Sequence, residues 1–275
     1  MKIIISDDFD LDKIIDSGQC FRNRRRAEGS WLFLSGGHVL EINKTGREEY
    51  QVSCPDREWK GFWEHYFDLS RNYSQIRALC LRQLQKAGWD DAAVRFLQKA
   101  IADGTGLRIL RQDPFETLIT FIISQRKNMP AIAQAVEKLS RQYGHMLQEG
   151  IYSFPHPQEL GRASEQDLRA LGLGYRAPYV KDAVEKVLSG QLVFADMEKL
   201  DDDSLYQKLL EVKGVGKKVA DCVCLFGFGR TSRAPVDIWI GRAIDCCGGT
   251  SPFPVFGPYA GIVQQYVFYS MTKCG

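Results

Sequence analysis

The chain has 275 residues, which is enough for one large domain or two modest ones. Because hydrophobic residues make up 44% of it, the chain can bury a sizeable core, and wholesale disorder is excluded. Its net charge of only +2 and its pI of about 8.1 exclude a protein that coats nucleic acid through bulk charge, but they leave room for a local basic face.

The eight cysteines show no paired spacing typical of a zinc site. The start of the chain, Met1-Lys-Ile-Ile-Ile5, lacks the pattern of a signal peptide, and no apolar run is long enough to span a membrane. We therefore expect reduced, mostly buried thiols in a cytoplasmic protein.

Residues 1 to about 70 are predicted to be rich in strands. Within them, segment 31–42 has two apolar runs around Ser35-Gly-Gly37, a pattern typical of a β-hairpin with a glycine turn. Arg22 and Arg24–Arg26 form one basic run, and we interpret its second part as the solvated tip of a hairpin.

From Tyr73 onward the pattern becomes helical. Asp113-Pro114-Phe-Glu116 is a helix start, with Asp at the N-cap, Pro at the first position and Glu at the third. The sequence thus predicts an α+β protein, with a small N-terminal antiparallel β-sheet domain and its trailing helices in residues 1–108, and an all-helical domain in residues 109–275. Further helices are marked by three groups of residues: Ile132, Ala135, Val136, Leu139 and Tyr143; Ser164-Glu-Gln-Asp167; and Tyr179, Val180, Ala183, Val184 and Val187.

The most informative stretch is Leu209–Cys222, which is predicted to be a helix end, a tight turn and the start of a second helix. We expect Gly214 and Gly216 to adopt backbone angles that side chains forbid and to let another molecule approach closely. Lys217 and Lys218 open the second helix, whose first N–H groups have no partner inside the helix and so suit an anion. A phosphate backbone fits this arrangement, although a simple helical corner with solvated lysines is the alternative.

Several motifs together resemble those of the 8-oxoguanine DNA glycosylase/AP lyase family, and they occur in the family's order with compatible spacing. The resemblance implies a helix–hairpin–helix glycosylase domain behind the N-terminal sheet. The matching segments are Ser17–Arg22, Arg111–Glu116, Leu171–Tyr179, Gly214–Cys222, Pro235–Asp237 and Gly257–Gly261.

The resemblance assigns the chemistry to two residues. Lys218 matches the family's nucleophile, and its place at a helix N-terminus disfavours a second positive charge there, so that a free amine can attack the sugar. Asp237, nineteen residues further on, matches the carboxylate that stabilises positive charge on the sugar. The alternative role of Asp237 is to cap the helix that follows it, and both roles can hold together.

The resemblance also implies a pocket for a base turned out of the duplex. Gly18 would offer its carbonyl to the N7–H that 8-oxoguanine has and guanine lacks, and Gln264 would bind the Watson–Crick edge. Phe268 and Cys222 match the two faces that sandwich the base, although each alone is more often a core residue. Trp239 stands where animal members often carry histidine.

The remaining matches concern contacts with the two DNA strands. Gly214, Gly216, Lys217 and Val219 would bind a phosphate through the hairpin, while Tyr175 and Arg176 match the wedge tyrosine and an arginine that binds the opposite cytosine.

In the segment that probes the opposite strand, Arg126 and Asn128 are candidate DNA contacts, but Arg126 stands at the void-filling asparagine. Ala131 stands where a second cytosine-binding arginine is common. The pattern is that of a bacterial or archaeal member with a relaxed preference for the opposite base.

The leading hypothesis is therefore a bifunctional glycosylase/lyase acting on double-stranded DNA that contains an oxidised purine. An alkylpurine glycosylase on the same scaffold is a second hypothesis, which Lys218 argues against, and a non-catalytic DNA-binding protein is a third. We expect a monomer that needs no cofactor, lies with the nucleoid in the cytoplasm and binds a monovalent cation at the hairpin, as the resemblance allows.

Overall fold

The computed structural model describes residues 1–274, with the backbone alone described at Cys274. The predicted reduced thiol of Cys274 therefore lies outside the described side chains. The other seven cysteines are free; Cys246 is exposed, Cys20 is partly exposed and the remaining five are buried. In the described part of the chain, no helix is both long enough and apolar enough to cross a membrane.

In the part of the chain that the structure describes, seven strands form two sheets. A five-stranded sheet has the order β1-β5-β4-β3-β2, and β6 and β7 form a separate antiparallel pair. The register aligns Ile3 with Tyr50 and Asn43 with Gln51 in antiparallel pairs. The strands are β1 Lys2–Ile4, β2 Arg24–Arg25, β3 Trp31–Ser35, β4 His38–Lys44, β5 Glu49–Val52, β6 Met146–Gln148 and β7 Ile151–Tyr152.

Fifteen α-helical segments lie in the described chain, several of them continued by π-helical or 3₁₀ turns. They are α1 Leu11–Asp16, α2 Asp56–Glu58, α3 Glu64–Tyr66, α4 Tyr73–Lys86, α5 Asp91–Asp103, α6 Pro114–Ser124, α7 Met129–Tyr143, α8 Pro157–Gly161, α9 Glu165–Leu168, α10 Ala177–Leu188, α11 Phe194–Met197, α12 Asp202–Leu210, α13 Lys217–Cys222, α14 Ile238–Cys246 and α15 Ala260–Cys274.

The chain folds into two compact units that are not consecutive in sequence. The first unit contains residues 1–20, 42–111 and 229–275, and the second contains residues 21–41 and 112–228. The predicted boundary after residue 108 lies near the transition at 111/112, but each unit draws on more than one stretch of the chain.

In the first unit, α15 packs against α5 and α14. The same unit contains a buried aromatic cluster between residues 59 and 67. Trp63 is fully buried and makes edge-to-face contacts with Phe62 and Tyr66, at 5.0 and 5.2 Å between ring centroids. The segment from Asp56 to Tyr66 is helical, with a π-helical turn at Trp59–Trp63, and it buries Trp59, Trp63 and Tyr66 while its charged side chains stay at the surface.

In the second unit, α6 is the central helix: every residue from Phe115 to Ile123 is buried, and it packs against α7, α10 and α13. The β-hairpin at Trp31–Lys44 belongs partly to this unit, where Leu32 and Leu34 form a cluster with Ile151 of β7. The small sheet β6-β7 therefore covers the apolar side of β3.

Much of the predicted architecture is confirmed, including the hairpin at 31–42 and the helix that Asp113 starts by accepting a hydrogen bond from the Glu116 N–H at 2.8 Å. Two expectations need correction. Residues 56–66 are helical, because aromatic burial outweighs the weak helix propensity of the segment. The helical domain contains the β6-β7 pair. The exposure predicted for Arg24–Arg26 is confirmed, whereas Arg22 in the same basic run is buried.

Candidate active site

The turn between α12 and α13 needs one of its two glycines for its own conformation. Gly214 has φ +78°, and a Cβ there would lie 2.3 Å from the Tyr179 ring. Gly216 has φ −99° with open space around it, so the expectation that both glycines adopt forbidden angles is wrong for Gly216. If glycine is required at position 216, the reason must be the close approach of another molecule.

The first turn of α13 is built to present N–H groups. Gly216 is the N-cap residue, its carbonyl accepts from the Ala220 N–H at 3.0 Å, and the N–H groups before Ala220 have no acceptor within the helix. Lys217 is exposed beside them, while the Val219 side chain is buried and anchors the turn. The geometry is compatible with a phosphate, and the predicted phosphate contact stays a prediction.

Lys218 is the second residue of α13, and its amine lies against an aromatic wall. Its Nζ is 4.8 Å from the centroid of Phe121 of α6, a cation–π distance. Phe226 stacks on Phe121 at 5.5 Å and 14°, and Phe21 meets it edge-on at 6.2 Å. Within the second unit, as far as its residues are described, no carboxylate forms an ion pair with this amine, and its role as nucleophile stays a prediction.

Cys222 lies one helical turn after Lys218 and is 3% exposed. Its spacing of four residues places the two side chains on the same face of the helix. The burial is compatible with either a core thiol or a base contact, so the role predicted for Cys222 stays a prediction.

The segment predicted to probe the opposite strand has an unusual backbone. Arg126 is exposed and has φ +53°, a left-handed angle that only two described residues other than glycine adopt. Such angles are costly for a residue with a side chain and cluster at functional sites. Asn128 is exposed, and its side chain caps α7 by accepting from the Ala131 N–H at 3.0 Å.

Gln125 joins three of the predicted DNA-binding features. Its side-chain amide donates to the Gly214 carbonyl at 3.1 Å, and its own carbonyl accepts from the Arg176 Nε at 2.8 Å and from a second N–H of the same guanidinium. Tyr175 is 42% exposed, with the Arg176 guanidinium 4.4 Å from its ring centroid. Sequence reasoning missed Gln125, because nothing in its local pattern marks contacts 51 and 89 residues away.

Arg176 is only 6% exposed, and its guanidinium also donates a hydrogen bond to the Leu173 carbonyl at 3.3 Å. To bind a base, the guanidinium would have to exchange these backbone carbonyls for base atoms. Its predicted role in binding cytosine thus competes with a role in holding the Gln125 segment.

In the first unit, Asp237 is the N-cap of α14, and its carboxylate accepts from the Ile240 N–H at 2.9 Å. The capping role weighed for Asp237 is therefore confirmed. The second carboxylate oxygen is not used by this bond, and Val236 and Ile238 on either side are 47% and 76% exposed. The carboxylate is thus held in a defined direction between two exposed residues, and its charge-stabilising role stays a prediction.

The predicted base-binding residues of the first unit lie on different elements. Gln264 lies on α15 and donates to the Pro235 carbonyl, two residues before Asp237, at 2.9 Å. Phe268 is partly exposed one turn later on the same helix, and Trp239 on α14 lies 5.0 Å from the Arg242 guanidinium. Gly18 follows α1 with φ +69°, an angle that favours glycine.

The structure thus assembles the predicted residues into two sets. One set, in the second unit, contains Lys218, Cys222, the hairpin turn and the segment around Gln125; the other, in the first unit, connects Gln264 with the loop of Asp237. Among the described residues, no group of three side chains is arranged to hold a metal ion. Phe121 and Gln265, a neighbour of Gln264, were not singled out from the sequence.

Comparison with known proteins places these features in a family. Residues 2–118 match the 8-oxoguanine DNA glycosylase N-terminal domain, and residues 119–254 match the HhH-GPD superfamily of base excision DNA repair proteins. A Methanothermobacter thermautotrophicus protein named "probable N-glycosylase/DNA lyase" is 33% identical over 309 aligned positions, which cover 98% of this chain and 95% of that protein.

Solved structures agree with the match. The Clostridium acetobutylicum 8-oxoguanine glycosylase/lyase, crystallised with double-stranded DNA containing cytosine opposite to 8-oxoG, has a TM-score of 0.88 and 32% identity, covering 100% of this chain and 98% of that one. The 3-methyladenine DNA glycosylase of Archaeoglobus fulgidus, at a TM-score of 0.74 and 17% identity over 99% of this chain and 98% of that one, shares the fold. The fold is that of a base-excision DNA glycosylase. The chain belongs to the N-glycosylase/DNA lyase family.

Proposed function

We propose that this protein excises 8-oxoguanine from duplex DNA and then cleaves the strand as an AP lyase, with Lys218 as nucleophile. The observation that carries the proposal is the placement of the Lys218 amine at the start of α13, against Phe121 and beside a hairpin turn suited to phosphate. The membership of the family and the names of its relatives support the same chemistry.

In the proposed reaction, the lone pair of the unprotonated amine attacks C1′ of the damaged nucleotide. The bond from C1′ to the base breaks, and its electron pair leaves with the base, which takes up a proton. Loss of a proton from the nitrogen and opening of the sugar ring give a Schiff base, from which elimination of the 3′ phosphate cleaves the strand. This covalent route is what separates a lyase from a glycosylase that uses water.

Asp237 serves the same reaction electrostatically. Its carboxylate is held by the α14 N-terminus and would stabilise positive charge as it develops on the sugar. Removing such a group typically costs roughly 2.7–4 kcal/mol of barrier. The capping bond and the catalytic role use one orientation of the side chain.

Lesion recognition is assigned to Gly18 and Gln264. The Gly18 carbonyl would accept the N7–H of 8-oxoguanine, which guanine lacks, and Gln264 would bind the Watson–Crick edge. Phe268 and Cys222 would stack on the base, and Trp239 would lie beside it.

The preference for the opposite base is proposed to be relaxed. Ala131 cannot hydrogen-bond a base, and the guanidinium of Arg176 already binds two backbone carbonyls. Arg126 is the exposed cation of this segment and would contact the opposite strand. A monovalent cation bound by carbonyl oxygens of the 211–216 turn is part of the same proposal; Gly214 O accepts from Gln125 and keeps one lone pair for it.

Borohydride trapping tests the covalent step. The protein should be trapped on a duplex that carries 8-oxoguanine, and Lys218→Gln should not be trapped at all. Lys208→Gln is the matched control, because Lys208 lies on α12 and pairs with Glu211 at 2.7 Å. Asp237→Asn should bind the duplex but turn over about 100-fold more slowly or worse, in line with the barrier above. Trapping of Lys218→Gln at the normal yield would identify a different nucleophile and refute the assignment.

A further inference from the structure

A pair of neighbouring glutamines on α15 is buried together. Gln264 is 2% exposed and Gln265 is 4% exposed. The Nε2 of Gln264 donates to the Pro235 carbonyl at 2.9 Å, and the Nε2 of Gln265 donates to the Oε1 of Gln264 at 3.1 Å. Both ends of the Gln264 amide are therefore engaged by the protein before any ligand arrives.

These two bonds fix which way the Gln264 amide is turned. A carbonyl can only accept, so Pro235 requires the NH₂ end of Gln264 on its side. The Gln265 NH₂ then meets the oxygen end. One N–H and one lone pair of Gln264 remain free, in an order set by the protein.

The order of donor and acceptor decides which purine edge can be bound. A 6-oxo purine offers the O6 acceptor next to the N1–H donor, so the free N–H of an amide pairs with O6 and its lone pair with N1–H. A 6-amino purine offers the reverse, a donor at N6 and an acceptor at N1, and needs the amide turned over. An amide free to turn could bind both edges equally well.

Gln265 is an unexpected choice for its position. Its own Oε1 is buried and has no hydrogen-bond partner within the described chain. A buried amide with an unsatisfied oxygen is less stable than an apolar side chain of similar size, so its presence points to a role other than packing.

We propose that Gln265 is a positioning residue for lesion recognition: with the Pro235 carbonyl, it holds Gln264 in the orientation that accepts a 6-oxo, N1–H purine edge and rejects a 6-amino edge. The inference rests on the proposed function, since it takes Gln264 as the side chain that contacts the damaged base. It adds the discrimination between 8-oxoguanine and its 6-amino counterpart, 8-oxoadenine.

Two substitutions test how firmly Gln264 is held in this orientation. Gln265→Leu removes one of the two bonds that orient the Gln264 amide, so excision of 8-oxoguanine should slow about fivefold and its advantage over excision of 8-oxoadenine should narrow. Gln265→Glu places a carboxyl group against the Gln264 oxygen. When protonated, that group donates as the amide does; when ionised, it can only accept and favours the turned-over Gln264.

The experiment is single-turnover excision of 8-oxoguanine and of 8-oxoadenine, each opposite cytosine, from pH 6 to pH 8, a range in which the N1–H of 8-oxoguanine is retained. Because the ratio of the two rates cancels pH effects common to both lesions, the wild-type ratio should be flat. The Gln265→Glu ratio should match wild type at pH 6 and narrow at least tenfold, about 1.4 kcal/mol, by pH 8. Burial favours the neutral form of a carboxyl group, which brings its titration into this range.

Tyr266→Phe is the matched control, because it removes one buried hydroxyl from α15 that has no hydrogen-bond partner among the described residues; both rates should be unchanged. A pH-independent Gln265→Glu ratio would overturn the proposal, as would a Gln265→Leu variant that keeps the wild-type ratio of the two rates. A wild-type protein inactive on 8-oxoguanine would instead refute the proposed function.

Discussion

The Phe121 ring lies 4.8 Å from the Lys218 amine, and this contact defines where the proposed nucleophile sits. Phe121→Leu keeps an apolar side chain but removes the ring face, which contributes about 0.5–2 kcal/mol to such contacts. We expect the single-turnover rate on 8-oxoguanine to fall about tenfold, because the amine loses its position, while the affinity for the lesion duplex stays the same. Rapid-quench excision and an equilibrium binding titration measure the two quantities.

Phe226→Leu is the control for that experiment. It disrupts the same 5.5 Å ring stack, but among the described side chains the cation–π contact of Lys218 is made by Phe121 and not by Phe226. If both variants lose activity equally, the ring acts through packing and not through the amine.

In the hairpin turn, Gly214 is needed for the fold, whereas Gly216 is proposed to be needed for contact with DNA. Gly216→Val should leave the melting temperature nearly unchanged, because φ −99° is open to any residue and a Cβ has free space. It should weaken binding to damaged and undamaged duplexes alike, since phosphate contacts carry no sequence information. The loss of a charge-assisted hydrogen bond, roughly 1.5–3 kcal/mol, corresponds to about tenfold or more in Kd.

Gly214→Ala should behave in the opposite way. Its φ of +78° and the 2.3 Å approach to Tyr179 predict a loss of roughly 1–2 kcal/mol or more in unfolding free energy. A binding defect of Gly216→Val confined to lesion DNA would contradict a phosphate role for the turn.

The start of α7 offers a test of opposite-base preference. Ala131 is partly exposed, and the cap from Asn128 uses its backbone N–H, so Ala131→Arg should preserve the helix. A bidentate base contact gives about 1–3 kcal/mol of discrimination, so the ratio of excision opposite cytosine to excision opposite adenine should rise about tenfold. Single-turnover rates on four duplexes that differ at the opposing base measure it.

Ala131→Lys supplies the same charge without the bidentate geometry and should change the ratio less. A steep cytosine preference in the unmodified protein would contradict the relaxed preference and would assign that specificity to Arg176 or Arg126.

Local signals explain which elements the sequence could predict. Asp113 and Ser164 cap their helices through bonds to residues three positions away, so their motifs carry the full information. The helix at 56–66 could not be predicted in this way, because it depends on aromatic burial. The chemistry of Lys218 and Asp237 could be proposed from the resemblance, but Gln125 contacts residues 51 and 89 positions away, which no local spacing reveals.

The stability of the second unit should depend on the protonation state of one buried carboxyl group, that of Glu116. The Glu116 carboxyl lies 3.5 Å from the Arg22 guanidinium, which also donates to the Tyr152 carbonyl. Burial raises the pKa of Glu116 to about 7, with Asp113 acting in the same direction and Arg22 against it. Because the folded pKa lies above the ordinary value of 4.5, the stabilisation is complete below pH 4.5 and is lost as the pH rises through 7.

Glu116→Gln isolates this effect, because the amide does not titrate. The unfolding free energy of the wild type relative to the variant should fall by roughly 3 kcal/mol between pH 4 and pH 8. Urea titrations of both proteins at the two pH values measure the difference. A difference that grows with pH would show that Glu116 is the ionised partner of Arg22 throughout.

The interleaving of the two units sets the order in which the chain can complete them during synthesis. Once residue 228 has left the ribosome, every residue of the second unit is available. The first unit must wait for α15, whose Tyr266 packs against Gly104 and whose Ser270 bonds Asp103 at 2.6 Å. Residues made first are thus among the last to reach their final packing, and a nascent chain can carry the folded hairpin with Lys218 while the unit that holds Asp237 is still incomplete.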